Sequence, residues 1–390
     1  MIAKSFGVML DRLDAGLESG SLEASLPDGT VRLLGGRGPG PVGVVTLHRW
    51  RGMLRLSHSG SVGWYEAWAA GDWSSPDPVQ LFDLFMRNRT TLGKAARAGG
   101  LSRIAKRLRH ALRRNSRSGA RRNIIAHYDL GNDFYAAWLD PTMTYSSAMF
   151  DRVGSTESLD DAQRRKIRSI LDRVQLTAGQ TLLEIGCGWG GLLKAAAEQG
   201  IVASGITLSP SQKQVADRKL QGTANVSLVD YRDATGIYDG ISSVEMVEAV
   251  GQQYWPAFLD CVSRCLKPGG RAAIQFISIA DDVFESYAAN ADFIQAFIFP
   301  GGMLLSESRF RALAEARGLS WTDQRDFGFD YAETLFRWRK NFDAAVEGGT
   351  LPKGFDAKFV ALWRYYLMYC EGGFRSGGIQ VSQVTLIKKS

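Results

Sequence analysis

Residues 182–191, "LLEIGCGWGG", place an acid two positions before the first of several closely spaced glycines. The aliphatic run ahead reads as a strand, and "GGLLKAAAEQG" behind reads as a helix. A strand, a glycine turn and a helix aim backbone N–H groups and a helix N-terminus at a ligand. Glycine is needed where a Cβ would hold that ligand away. Gly186, Gly188 and Gly191 satisfy the dinucleotide spacing G-x-G-x-x-G, so spacing alone does not exclude a dinucleotide. The neighbours discriminate better. Glu184 before Gly186, Gly188 and Gly190 makes the E-x-G-x-G-x-G form of S-adenosylmethionine (SAM) enzymes. The next strand ends in "GITLSPSQ", without the acid that would hold an NAD ribose. The third ends in "DYRD", where Tyr231 and Arg232 offer polar contacts to an adenine. A SAM-dependent methyltransferase is the favoured reading; a dinucleotide site and a structural loop are its rivals. The absence of an (N/D)PP(Y/F) loop weighs against a nucleic-acid base as methyl acceptor.

The elements that must hold this loop are legible on both sides of it. "SLDDAQRRKIRSILDRV" has helical periodicity, and helices and strands then alternate: "TLLEIG", "IVASGITL", "SPSQKQVADRKLQG", "NVSLVDYRD", "YWPAFLDCVSRCL" and "RAAIQFISI". That alternation predicts a parallel, doubly wound α/β sheet, Rossmann-like, over residues 124–390. Residues 1–92 read as a smaller α+β domain. Its strands include "VGVVTLHRW" and "MLRLSHSG", and "PVQLFDLFMRNRTTL" is a helix. A chain of 390 residues is long for one core, which fits two domains.

Composition bounds the class. The apolar fraction is 45% and the charged fraction 22%, as in globular proteins. No apolar run is long enough to span a bilayer. The first residues make a poor signal peptide, so a cytoplasmic location is expected. Cys187, Cys261, Cys265 and Cys370 show no metal or disulfide spacing and read as free thiols. The net charge of +7 is concentrated in residues 93–123, where eleven Lys/Arg stand between Lys94 and Arg122 without an acid. Leu101, Ile104, Leu108 and Leu112 share one face of a helix there, with Arg103, Lys106, Arg107 and Arg113 around the others. Such a helix suits an anionic membrane surface. Nucleic acid and a solvated linker are the other readings of this segment taken alone.

Further stretches resemble the cyclopropane fatty acid synthase family, which includes the mycolic acid cyclopropane synthases. They are "HYDLGNDFYAAWLDPTMTYSSAMF", "LLEIGCGWGG" with "GITLSPSQ", "SVEMVEAVGQQYW", "FIFPGGMLLS", "FGFDYAETLFRWRKNF" and "RYYLMYCEGGFRSGGIQVSQV". They run in consistent order over about 124 to 388. The resemblance implies SAM as methyl donor and the cis double bond of an unsaturated phospholipid acyl chain as acceptor. It implies a carbocation intermediate and a cyclopropane or a methyl- or methylene-branched product. It adds Tyr145, Ser146, Thr207, Leu208 and Gln212 to the SAM contacts Glu184, Gly186, Gly188, Gly190, Tyr231 and Arg232. It implies a bound bicarbonate as base, held by positions that here are Ser147, Glu248, Gln275, Ile277 and Tyr331.

Two of those positions depart from the family pattern. Ser147 stands where Cys is usual and Gln275 where His is usual. Gln cannot take up a proton, so Glu248 itself becomes a candidate base. Glu245, one helical turn earlier, has no role in this reading beyond a polar neighbour. Phe276, Phe297, Phe299, Tyr331 and Trp338 are candidates for π faces around the cation. The partners implied are acyl chains at an anionic membrane, with the protein peripheral on its inner face; nucleic acid is not expected, and a homodimer is left open. A methyltransferase of a soluble small molecule, and a SAM- or lipid-binding homologue with impaired catalysis, are the competing readings.

Overall fold

The computed structural model describes residues 2–93 and 130–390. The basic segment and the amphipathic helix expected within it lie outside the described residues. Contacts gather the rest into two units. One comprises residues 2–93 with 282–300 and 353–379; the other comprises 130–281, 301–352 and 380–390.

The first unit is built on a four-stranded sheet of β1 (Ser21–Ser25), β2 (Val31–Gly35), β3 (Val42–Leu47) and β4 (Trp73–Ser74), in the order β2-β1-β3-β4. β1 pairs antiparallel with β2 and parallel with β3. The expected strand at "MLRLSHSG" is instead part of a helix, Arg51–Ala69, kinked at Gly60, whose φ is 56°. The Leu/Arg alternation there imitates a strand, but the segment folds back on itself. A Cβ on Gly63 would lie 2.0 Å from the Arg55 carbonyl oxygen. Helix Ala357–Arg375 packs on helix Pro78–Arg87, and Tyr365 meets Phe82, Phe293 and Tyr65 at 4.8–5.2 Å between ring centroids.

The second unit holds seven strands: β5 (Thr181–Ile185), β6 (Val202–Thr207), β7 (Asn225–Leu228), β8 (Tyr238–Val244), β9 (Leu266–Ile279), β10 (Leu319–Asp326) and β11 (Ile379–Lys388). Their order is β10-β11-β9-β8-β5-β6-β7. From β7 to β9 every neighbouring pair is parallel, as the sequence predicts. The expectation of a purely parallel sheet fails at one end, where β10 and β11 pair antiparallel. Helix Leu159–Val174 starts at Ser158, whose side chain accepts from Asp161 N. Its Ile167, Ile170, Leu171 and Val174 close over Leu182, Leu193 and Ala203. The interior of β9, Ala272 to Phe276, is fully buried, as in a sheet covered on both faces.

From β5 the chain moves first to β6 and β7 on one side, then to β8 and β9 on the other. Doubly wound sheets bind ligands at this reversal, outside the carboxyl ends of the strands. The glycine loop follows β5, Thr207 ends β6, and Glu245 follows the last residue of β8. Three sets of side chains thus meet at one place. This is the mixed α/β architecture expected; the smaller α+β unit, however, is not only the N-terminal residues 1–92 but also takes in 282–300 and 353–379, so residues 124–390 do not form one continuous unit.

Candidate functional site

The cleft at the strand ends is lined by Tyr145, Ser146, Glu184, Gly186, Gly188, Thr207, Leu208, Gln212 and Tyr231. Nine of the eleven residues expected to hold SAM therefore come together. Gly188 has φ 50°, and a Cβ added to it would meet nothing within 4 Å. The open side of the loop therefore faces the cleft. Gly186 N and Cys187 N donate to Ile206 O, tying the loop to the end of β6. The Thr207 hydroxyl donates to Gln212 Oε1 at 3.0 Å, so Gln212 is left its NH2 to offer a ligand. Gln212 is buried rather than an exposed helix residue.

The other two expected contacts have different work. Gly190 faces Ala216, where a Cβ would approach to 3.2 Å, and so permits close helix packing. Arg232 pairs with Asp230 and lies 5.3 Å from the ring centroids of Tyr231 and Tyr254. It supports the wall without lining the cleft.

Lys166, which the sequence reading omits, is enclosed beneath the segment that carries Tyr145 and Ser146. It is 1% exposed, and its Nζ donates to Ser146 Oγ at 2.6 Å. Burial pushes its pKa down to about 8 against the opposing charges of Glu245, Asp140 and Glu184. Gln163 Nε2 donates to Ser146 O and fixes the same segment. Glu184 is buried, with Oε2 lacking a hydrogen-bond partner, and burial raises its pKa to about 8. An unpartnered buried carboxyl oxygen is costly unless a ligand meets it. The cleft is lined by three carboxyl groups, Glu184, Asp230 and Glu245, and by the rings of Tyr145, Trp189 and Tyr231, whose π faces suit a cationic sulfonium ligand.

The five residues implied around the base do not form one ring. Tyr331 Oη donates to Glu245 Oε2 at 2.6 Å. Gln275 Nε2 donates to Glu245 Oε1 at 2.8 Å, and Ser147 N donates to the same oxygen at 2.9 Å. The Ser147 hydroxyl is turned away and donates to Ala148 O. Ile277 N donates to Glu248 Oε1, and Glu248 Oε2 is enclosed without a partner. Glu248 does not line the cleft; Glu245 does. The expectation that these glutamates lie one helical turn apart is also replaced. Glu245 has φ 49°, and one 3-10 turn, Val247–Ala249, then directs Glu248 elsewhere.

The two carboxyl groups are electrostatically unlike. Burial, and next the charge of Glu245, push Glu248 up to about 8, and Ile277 N opposes this weakly. Burial also raises Glu245, but Tyr331, Lys166, Ser147 and Gln275 all pull it back down. Burial raises both groups, and Glu245 alone is met by side-chain donors on both of its oxygens.

Among the aromatic candidates, Trp338 lies 5.3 Å from Tyr145 and 6.2 Å from Tyr331, ring to ring. Phe276 is a core residue against Phe310 and Trp321. Phe297 and Phe299 pack within the other unit, against Tyr65 and Tyr366. Glu245 lines the cleft, as Lys166 does, and sequence reasoning gave it no role. The signal was its place at the end of a sheet strand, but β8 was not recognised as a strand.

Fold and cleft together define a SAM-dependent methyltransferase. The family model described as mycolic acid cyclopropane synthetase matches residues 115–384. The chain is 37% identical over 357 residues to the tuberculostearic acid methyltransferase UfaA1 of Mycobacterium tuberculosis, covering 86% of this chain and 81% of that one. It is 32% identical over 341 residues to the cyclopropane-fatty-acyl-phospholipid synthase of Escherichia coli, covering 85% and 84%. The solved structure of the mycolic acid cyclopropane synthase CmaA1 with SAH and CTAB superposes with a TM-score of 0.63 at 30% identity. The match covers 69% of this chain and 98% of that one. The protein belongs to the mycolic acid cyclopropane synthetase family, and SAM is its methyl donor.

Proposed function

We propose that this enzyme adds a one-carbon unit from SAM to the cis double bond of an unsaturated phospholipid acyl chain. The observation that carries the reading is one cleft that joins the SAM-binding loop to the Glu245 carboxyl group and to the rings of Tyr145, Trp189 and Tyr231. Bound SAM supplies an electrophilic methyl group. Gly186, Gly188, Thr207, Gln212 and Tyr231 would hold its carrier, with Tyr145 and Ser146 in the same cleft wall. Methyl addition to the alkene leaves a cation on the acyl chain. Tyr145 offers a π face that favours a cation, and Trp338 packs behind it. One proton must then leave the added methyl. Loss with ring closure gives a cyclopropane; loss after a hydride shift gives a methylidene branch. The similarity to relatives named a tuberculostearic acid methyltransferase and a cyclopropane-fatty-acyl-phospholipid synthase supports one-carbon addition to a fatty acyl chain.

The phospholipid surface as substrate rests on the basic residues 93–123. Purified protein is expected to modify acyl chains in vesicles of cis-unsaturated anionic phospholipid faster than in neutral vesicles, and added salt is expected to slow the reaction. Equal rates on both vesicles, or turnover of free fatty acid only, would remove the anionic membrane from the proposal. Turnover of a soluble small molecule alone would remove the lipid.

A further inference from the structure

We propose that Glu245 is the base that removes the proton from the added methyl. It is a carboxylate built into the chain where the resemblance places a free bicarbonate. The proposal rests on the lipid-methylation reading above. It starts from where the donors point. Three of the five positions implied for bicarbonate donate to Glu245, Ser147 through its backbone N–H and Gln275 and Tyr331 through their side chains. Both carboxylate oxygens are served. A bicarbonate placed there would have to displace the Glu245 carboxyl group from those donors. The residues present do not fit that group.

The arrangement around Glu245 is held from behind. Arg173 can only donate, and its Nε donates to Gln383 Oε1 at 3.1 Å. Gln383 Nε2 therefore faces Gln275 and donates to Gln275 Oε1 at 3.0 Å. That in turn directs Gln275 Nε2 at Glu245. A chain of oriented amides thus ends in a donor that stabilises a carboxylate. This explains why Gln serves at a position where a titrating His is not needed. Arg173 and Gln383 act as positioning residues.

The backbone makes an independent argument. Glu245 adopts φ 49°, a conformation that costs an L-residue and suits glycine. A backbone outlier at a cleft is a reasonable pointer to function. The position tolerates the strain, and what it obtains is a carboxylate in the cleft wall. Glu248 offers no equivalent: one donor, one unpartnered oxygen, and no surface in the cleft. In the step itself, a C–H bond of the added methyl breaks and a Glu245 oxygen takes the proton. The released electron pair closes onto the cationic carbon, as a ring bond or as the new double bond of a methylidene. Neither outcome needs an oxidant or a reductant.

The test uses the full chain and Glu245→Gly, because glycine suits this backbone and its absent side chain opens the cradle. In buffer stripped of carbon dioxide, wild-type lipid methylation is expected to be unchanged by added bicarbonate. The variant should lose at least about a hundredfold in rate and should regain part of it when bicarbonate is added. Calorimetry should show SAM still bound by the variant. Binding of 13C-labelled bicarbonate, read by NMR without turnover, should appear in the variant and be absent in wild type. Wild-type activity that requires bicarbonate, wild-type binding of it at the cleft, or a variant active without it would overturn the proposal. Should no lipid be methylated by wild type, the function reading fails, while the bicarbonate-binding comparison still decides whether Glu245 fills the cradle.

Discussion

Glu245→Gln is expected to slow lipid methylation by about 10²- to 10⁴-fold, the range that loss of a positioned base produces. The substitution keeps the side-chain length and the fit against Tyr331. It removes the ability to take a proton, while the amide oxygen can still accept from Gln275 Nε2 and Ser147 N and the NH2 can face the Tyr331 hydroxyl, which is able to accept. SAM affinity should fall only modestly, since the contacts around Gly188, Gln212 and Tyr231 are untouched. Glu248→Gln is the contrasting variant. A carboxyl with pKa near 8 is protonated at neutral pH and is mimicked by an amide, so activity should fall by no more than about tenfold. The same variant reads the linkage. Glu248 is raised from 4.5 in the unfolded chain to about 8 in the fold. Its contribution to stability is therefore full below pH 4.5 and is lost as pH rises toward and through 8. The wild-type melting temperature should fall over that window, and Glu248→Gln should flatten part of the fall. Glu184 is raised to the same level and has the same sign, so a residual slope remains. Kinetics showing the reverse order, with Glu248→Gln dead and Glu245→Gln active, would assign the base to Glu248.

Gly188→Val is expected to abolish measurable SAM binding at ordinary concentrations, raising Kd by about a hundredfold or more, about 2.7 kcal/mol. Two effects combine. The φ of 50° disfavours any side chain and a β-branched one most. The space beyond the missing Cβ is the cleft itself, so the valine would stand where the ligand meets the loop. Gly190→Ala should act differently, because its Cβ would press on Ala216 at 3.2 Å and not on the ligand. It should lower thermal stability more than SAM affinity. Calorimetric titration beside a melting curve separates the two variants. Unchanged SAM affinity in Gly188→Val would mean that the cofactor does not approach this loop.

Much of the catalytic unit was legible because its elements carry strong local signals. Helix Leu159–Val174 has its Ser158 cap and a 3.6-residue apolar stripe, and β5 is an aliphatic run stopped by glycine. The cleft residues were legible through the glycine loop and the family motifs. The misses share a physical cause: segments whose local pattern is overruled by their surroundings. β8, "YDGISSV", is rich in Asp, Gly and Ser, which strands disfavour. It forms because β5 and β9 flank it and supply both ladders. Without that strand, Glu245 looked like an incidental neighbour of Glu248 and not the residue at a strand end. The left-handed turn that aims it into the cleft has no glycine to announce it. "MLRLSHSG" failed in the opposite direction, since its alternation is a strand pattern, but burial of Met53, Gly60 and Gly63 requires a kinked helix.

The most direct test of the account follows the transferred methyl. Purified enzyme is given SAM with a CD3 methyl and vesicles of cis-unsaturated anionic phospholipid, and the released acyl chains are weighed by mass spectrometry. The account predicts acyl chains one carbon heavier that keep two of the three deuteriums, because a base takes one from the added methyl in forming either a ring or a methylidene. Mild hydrogenation then separates these two, since the methylidene takes up hydrogen readily. Acyl chains that keep all three deuteriums would contradict proton removal from the methyl, and with it the assigned role of Glu245. Acyl chains with no gain, from enzyme that still binds SAM, would contradict the lipid substrate itself.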